Sequence, residues 1–568
     1  MTLLCQLDAG TRYERYANAF WYAVEPGIYR SNLDGVYPDI DPLLLVDVPA
    51  SELGEVTSLF ASGGRIPRVD ALQDLRDGVG FVFDAQTKNL TLRLSNFDQP
   101  GYFDIILGAA IGSRFGGLTE RYDGQFFRDE IISPPVIRFS RDRLFFGQVS
   151  FDQATFSVGN ADGRYDLFGD LDVYGQQVRF YYGEDGAAFP DEFVQIATLN
   201  VQDFDVGHEL TIRASDPRKQ LQTPLPDRIV ELEDSPDFGE PLPLAYGRPR
   251  NVKPVILDDD EGYDPTKAQS YLICMADTEH RAITELTATR VSGQTIGTDS
   301  AADVYISGVD LAAGTFLLNK KAGVDLDLEQ IRIDFNAEGA DTAGAIVKDL
   351  LLTYTEVIPA QIAEGIEHVA EDIELVLYER EQTSVIEVIE SIMVSIKGFF
   401  IIDGTGVHRI DLRDTTAEPL LTVDRERITN LNRLFASRDA REFASRIRVR
   451  YDNGRVTQSA EDEDKSVKRY RQSRAQTIDT VLKNKVDADA YALDTVRETR
   501  EIVPTFSIGT DMRSIITGLR IAGITDTIEV DLARLSSDWL GRRKVEIEAV
   551  SYDFRRGLAN LEARLINE

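Results

Sequence analysis

The stretch FFGQVSFDQATFSVGNADGRYD, at 145–166, decides how this chain is read. Phe156 and Val158 alternate with polar neighbours, the period of a strand with one buried face. Asn160, Ala161, Asp162 and Gly163 close the run. Asn, Asp and Gly tolerate positive φ, so this run predicts a turn. Working outward, YGQQVRFYYG at 174–183 reads as a second short strand. FVQIATLNVQDFDVGHELTIRASD at 193–216 holds two alternating runs joined through Val206, Gly207 and His208, a hairpin signature. PLPLAYGRPRNVKPVILD at 241–258 continues the β pattern. None of this has the shape of an active site. It reads as a β-domain built to assemble.

Composition sets the outer limits. At 568 residues the chain is too long for one core, and roughly three to five domains are expected. An apolar content of 43% is ordinary for globular protein. The charge is not: 61 basic against 96 acidic residues leave −35. Duplex recognition needs clustered Lys and Arg, so a nucleic-acid-binding role is disfavoured. High solubility explains the excess, and so does a channel wall that lets DNA slide without sticking. Cys5 and Cys274 are the only cysteines, too few for a disulfide framework, and no zinc spacing is present. MTLLCQLDAGTRYERY at the start lacks the basic end and apolar run of a signal peptide. No window approaches about eighteen consecutive apolar residues. Folding in a cytoplasm is expected, with any outside location reached by assembly.

Along the chain, FWYAVEPGIY at 20–29 predicts a strand and a Pro26-Gly27 turn, and Leu43 to Val46 a short buried strand. GFVFDAQTKNLTLRLSN at 80–96 predicts a hairpin, with Phe81 and Phe83 answered by Leu90, Leu92 and Leu94. Trp21 and Tyr22 read as core before carbohydrate platform. Pro134-Pro135 marks a seam. DDDEGYDPTK at 258–267 misses the calcium-loop register and reads as a linker. Five strands between Tyr271 and Phe335 predict a small barrel or sandwich. Asp341 or Thr342 caps a helix that buries Ile346, Val347, Leu350, Leu351 and Tyr354. Ser384 and Glu387 form a capping box for a second helix, which Gly398 ends in a left-handed turn. A hairpin follows around Asp403-Gly404-Thr405-Gly406. Arg433, Arg438, Arg441, Arg446, Arg448 and Arg450 read as an exposed strand face with ion pairs rather than a phosphate site. Residues 460–474 read as a charge-blocked mobile loop, and a last helix starts at Asp487. Alternating strands then run through Ile528, Val545 and Leu561.

Chemistry is hard to find. His208, His280, His368 and His408 are scattered with no pair at metal spacing. GxSxG, HExxH, Walker and GxGxxG motifs are missing. GAAIGSRFGG at 108–117 lacks the Lys-Ser/Thr ending of a phosphate loop and reads as a flexible loop. Glu387, Glu390 and Asp403 could be paired as hydrolytic carboxylates, but on a capped amphipathic helix they are its wet face. No catalytic, cofactor or metal residue is expected, and no enzyme activity.

The order of the 145–166, 174–183 and 193–216 strands, then SDPRKQLQTPLP at 215–226 and PLPLAYGRPRNVKPVILD, resembles the baseplate hub and tail-tip proteins of tailed phages and their gene-transfer-agent equivalents. The likeness is strongest over 145–258 and returns in the C-terminal third. It implies a multidomain, mainly β protein with α+β parts. An N-terminal β-rich domain would occupy 1–135, a first tube-like β-domain 136–257 and a small β insertion 258–338. A helix-and-hairpin α+β domain at 339–415 and a second tube-like β-domain with one helix at 416–568 would follow. The resemblance further implies a homotrimer that joins the sixfold tail tube to a threefold spike or fibre at the distal end of the virion, assembled in the host cytoplasm. Its partners would be the distal tail-tube protein hexamer, the tape-measure protein, the central spike or fibre and other baseplate proteins. DNA would only pass through the lumen, without specific binding. The alternatives are a receptor- or glycan-binding tail fibre and a β-rich cell-wall glycosidase.

Overall fold

A computed structural model describes most of residues 131–566, the longer omissions being 142–148, 166–173, 260–267, 435–442 and 533–540. Of residues 1–130 it describes backbone strands. Those strands include Gly80–Asp84 and Asn89–Arg93, paired as the hairpin read from the sequence. Tyr22–Glu25 pairs with Ile28–Asn32. Trp21, the 43–46 run, the 260–267 part of the acidic linker, His280, Arg438 and Arg441 lie outside the described residues. Among the described residues no helix is long and apolar enough to cross a membrane.

The chain divides into two units. The first takes Met1–Ile137, Gln153–Asp216 and Asp553–Arg556. Its sheet runs in the order Ile131–Ser133, Ala154–Gly159, Glu209–Ser215, Val194–Val206, Gln177–Gly183, Thr2–Arg15 and Ile105–Gly116. Alternation dictates one dry face. Phe156 and Val158 stand opposite Ile212 and Leu210, and Val178 opposite Leu199, all fully buried or nearly so. The Phe156 and Phe180 rings meet edge to face at 5.3 Å. Asn160 pins the predicted turn. Its backbone N–H donates to the His208 carbonyl, its amide donates to the Gly207 carbonyl, and its side-chain oxygen accepts from Tyr165.

One reading fails here. GAAIGSRFGG is no loop: Ile105–Gly116 is a strand paired with Thr2–Arg15, Cys5 facing Phe115 and Asp8 facing Gly112. Its alanines and glycines carry little strand propensity, so pairing across the sheet sets its conformation.

The second unit takes Arg138–Asp152, Pro217–Tyr552 and Gly557–Glu568. Its largest sheet runs Val149–Phe151, Val136–Arg141, Arg542–Asp553, Leu558–Leu565, Thr505–Asp511, Ile428–Arg433, with Thr527–Asp531 also paired to Arg542–Asp553. It thus draws two strands from the start of the expected 136–257 domain. Pro134 and Pro135, which cannot donate to a ladder, fall between Ile131–Ser133 in one sheet and Val136–Arg141 in the other.

The five strands expected between Tyr271 and Phe335 are all present. They are split between a sheet ordered Val255–Asp259, Gln269–Cys274, Thr315–Lys320, Val304–Asp310 and one ordered Gln294–Ile296, Ile283–Val291, Ile331–Ala337. Tyr271, Ile273, Phe316, Leu318, Ile333 and Phe335 form their common core. Another core unites helix α1 (Ala343–Tyr354), helix α2 (Val385–Ile396), the strand Arg446–Tyr451 and helix α4 (Lys485–Thr499). The α+β core therefore reaches well beyond residue 415.

Local signals mostly hold. In α2 the Ser384 N–H donates to Glu387 at 3.0 Å and Ser384 Oγ accepts from the Glu387 N–H. The end of α2 differs from expectation. Lys397, not Gly398, takes the left-handed conformation, at φ 53°. Gly398 opens the next strand, where a Cβ would stand 3.1 Å from Ile396. Close packing, not φ, is what favours glycine there. Residues Glu463–Tyr470 form helix α3 instead of a mobile loop. Acids in its first turn and Lys468 and Arg469 in its last complement the helix dipole.

At the meeting of these parts sits a buried ionic network. Glu546 receives Arg141 at 2.8 Å and Arg413 at 3.1 Å, with the Arg141 and Glu546 side chains only 3% and 4% exposed. Arg413 also pairs with Glu498 of α4, as does Lys397, and Arg564 donates to the Glu498 carbonyl. Burial works against the Glu546 charge, yet Arg141, Arg413 and Arg564 hold its carboxyl below the usual range. Glu546→Ala, which strands the buried Arg141 and leaves Arg413 only Glu498, should cost about 3–5 kcal/mol in urea unfolding. Because the folded pKa is depressed, this stabilisation is complete above the unfolded value of about 4.3 and lost as pH falls through the folded one. The wild type should therefore lose more stability than the variant between pH 5 and pH 3.

Candidate assembly surfaces

The residues weighed for chemistry do not converge. His208 is exposed at its hairpin, and His368 is exposed beside Glu371 at 3.2 Å. His408 is buried against the Phe400 ring. Glu387 serves the α2 cap, while Asp403 closes the hairpin turn by accepting from Thr405 and Val407. Glu390 is pushed up by burial, with Arg218 opposing. Buried Cys274 is pushed up to about 12 by burial and Asp277, which makes it a poor nucleophile. Among the described residues no group of His, Cys, Asp and Glu is placed to hold a metal ion.

Among the described residues an open cavity of about 580 Å³ is lined by Asp237, Glu240, Lys253, Glu329, Tyr378, Arg380 and Glu381 among others. Two pairs of its charges are answered locally: Arg380 lies 3.3 Å from Asp237, and Lys253 pairs with Glu329. On the adjoining strand Leu377–Glu379, burial with Glu381 nearby pushes the Glu379 carboxyl up to about 7.

Broad sheet faces and edges are the larger feature. In the first unit the dry face is backed by a polar one. Ser157 and Thr211 are bonded at 3.0 Å, Arg179 donates to Gln177, and Arg213 pairs with Asp203 and Asp205. In the second unit the strands Arg455–Ser459, Arg446–Tyr451 and Ala475–Asp479 form a three-stranded sheet. Ile447, Val449, Tyr451 and Ile478 belong to the core that includes α4. Arg446, Arg448 and Arg450 alternate with these inward residues and take the other face. Of the arginines read as one strand face, Arg446, Arg448 and Arg450 share a strand, with ion pairs from Arg446 to Glu463 and from Arg450 to Asp479, while Arg433 ends Ile428–Arg433 in another sheet. Elsewhere Ile229, Leu232 and Phe238, each 50–55% exposed, crown a hairpin-like segment closed by the Ile229–Pro241 bridge. No periodic signal marked those three side chains in advance.

No protein-family model matches the sequence, and no curated protein does. Solved structures do match. A tail protein from Neisseria meningitidis MC58 is 11% identical, with 78% of this chain and 94% of that one covered at a TM-score of 0.39. The chain is similar to tail proteins. A chain of the virion of a native gene transfer agent particle is 12% identical over 58% of this chain and 85% of that one, at 0.41. The 43 kDa tail protein of prophage MuSo2 from Shewanella oneidensis is 9% identical over 78% and 94%, at 0.35.

Glu379 offers a check on the environment beside the cavity. Its folded pKa is raised, so the folded state holds a proton that the unfolded chain releases above about pH 4.3. Stability is lost as pH rises from there to about 7. Glu379→Gln should flatten this loss, so its urea midpoint should gain on the wild type between pH 5 and pH 8.

Proposed function

We propose that this chain is a structural, non-enzymatic component of a phage-type tail, a hub or tail-tip protein at the distal end of the virion. The observation that carries the reading is the presence of two large, mainly antiparallel sheets in one chain, each assembled from distant segments. Such sheets offer wide, pre-formed faces and free edges rather than a pocket, the geometry of proteins that assemble into larger bodies. The resemblance of 145–258 to hub proteins supports the same role. In this reading three copies, each supplying two tube-like domains, adapt the hexameric tube to a threefold spike or fibre. The distal tube protein, the tape-measure protein and other baseplate proteins are the neighbours, and the genome passes without sequence-specific contact. The strong negative charge suits such passage, because like charges keep DNA from adhering.

Gold-tagged antibody against this chain, applied to particles from the source and viewed by electron microscopy, tests the reading. Label should be confined to the end of the tail. Label along lateral fibres would establish the adhesin alternative, and particles without label would remove the tail assignment.

A further inference from the structure

The exposed face of the three-stranded sheet is unlike the rest of this acidic molecule. Arg446, Arg448 and Arg450 stand along it about 7 Å apart, the repeat of alternate strand residues. Gln458 is paired with Arg448 on one side and Thr477 on the other, while Val456, paired with Arg450, is 55% exposed. Glu463 and Asp479 neutralise the outer two arginines. Arg448 is exposed and has no ion-pair partner among the described residues. It is a planar, permanently charged donor fork in the middle of a flat surface, with an apolar residue beside it.

The complementary surface lies on the same chain. The segment from Arg228 to Leu242 is held as a ladder, with the Val230 N–H donating to the Glu240 carbonyl, the Gly239 N–H to the Val230 carbonyl and the Leu242 N–H to the Arg228 carbonyl. Its turn carries exposed Glu231 and Glu233, which have no ion-pair partner among the described residues, next to exposed Ile229, Leu232 and Phe238. Large apolar side chains held out beside acids are what a basic, partly apolar face would cover.

We propose that the acidic and apolar segment 228–242 of one copy docks on the Arg446–Arg448–Arg450 sheet face of a second copy of this chain. The charge of the molecule favours this choice. Copies carrying −35 each repel one another, so a stable self-contact must set cations against carboxylates. Arg448 and the Glu231–Glu233 turn are an unmatched pair of opposite sign. The proposal rests on the homo-oligomeric part of the functional reading and names the surfaces that join the copies. DNA phosphate is the rival occupant, but acids at Glu463 and Asp479 flank the row and weaken it as a polyanion track.

The test is a charge swap in the full-length chain, followed by analytical ultracentrifugation at low and high salt. Both sites are exposed, so the variants should fold, and circular dichroism checks that they do. The wild type should associate, with salt screening both the Arg–Glu contact and the repulsion between copies carrying −35 each. Arg448→Glu and the double change Glu231→Arg with Glu233→Arg should each weaken association at least tenfold. The triple variant combining them should recover most of it. Association of the single-site variants at wild-type strength would overturn the proposal, as would a monomeric wild type or a triple variant without recovery. So would Arg448-dependent binding of a 30-nucleotide duplex, read by fluorescence anisotropy, in place of self-association. Gold label at the tail end together with any of these negative results would leave the tail role standing and remove only this contact.

Discussion

The second unit is organised around one carboxylate taken out of water. Glu546 sits in a central strand of the large sheet and is held by Arg141 from a neighbouring strand and by Arg413 from the segment after the α+β hairpin. Arg413 hands the connection on to Glu498 of α4, and Lys397 at the end of α2 reaches the same acid. A buried charge of this kind contributes little net stability beyond a well-packed apolar substitute, but it is intolerant of a missing partner. That intolerance is what it brings to the fold. Sheet, hairpin and helix must be in register together or the carboxylate is left alone. The Arg141 guanidinium also lies 4.8 Å from the Phe399 ring centroid, so the cation is packed as well as paired.

Around that centre the chain spends its apolar residues on several modest cores rather than one. The small two-sheet body around Phe335 and the helical core around Ile392 have separate sets of side chains. Where described strands reach the surface, their outward residues alternate with core ones. Contact specificity then falls to the outward residues: which carry charge, which are answered within the chain, and which are left open.

Legibility in the sequence followed the range of the interactions. The α2 capping box, the 398–412 hairpin and the five strands of the small β-body depend on residues a few places apart, and periodicity and turn chemistry displayed them. The Ile105–Gly116 strand was hidden because Gly108, Gly112 and Gly116 have no propensity of their own, and its partner lies about a hundred residues earlier. Acids followed by bases at 463–470 looked like a solvated block, although the same order suits a short helix. The exposed arginine strand could be read from its alternation. The partner of each arginine could not, because Glu463 and Asp479 reach it through tertiary packing.

The large sheet of the second unit sets Val136–Arg141 beside Arg542–Asp553, strands about 400 residues apart in sequence. On a ribosome adding roughly 5–20 residues per second, the early strand waits on the order of 20–80 s for its neighbour to be made. During that interval an unpaired edge and half of an ion pair are exposed to everything else in the cell. Synthesis therefore has to pass the Arg542–Asp553 strand before this sheet can close. The Arg542–Asp553 and Leu558–Leu565 pair is thus the step on which closure of the sheet waits, and the surfaces built on it are presented only afterwards.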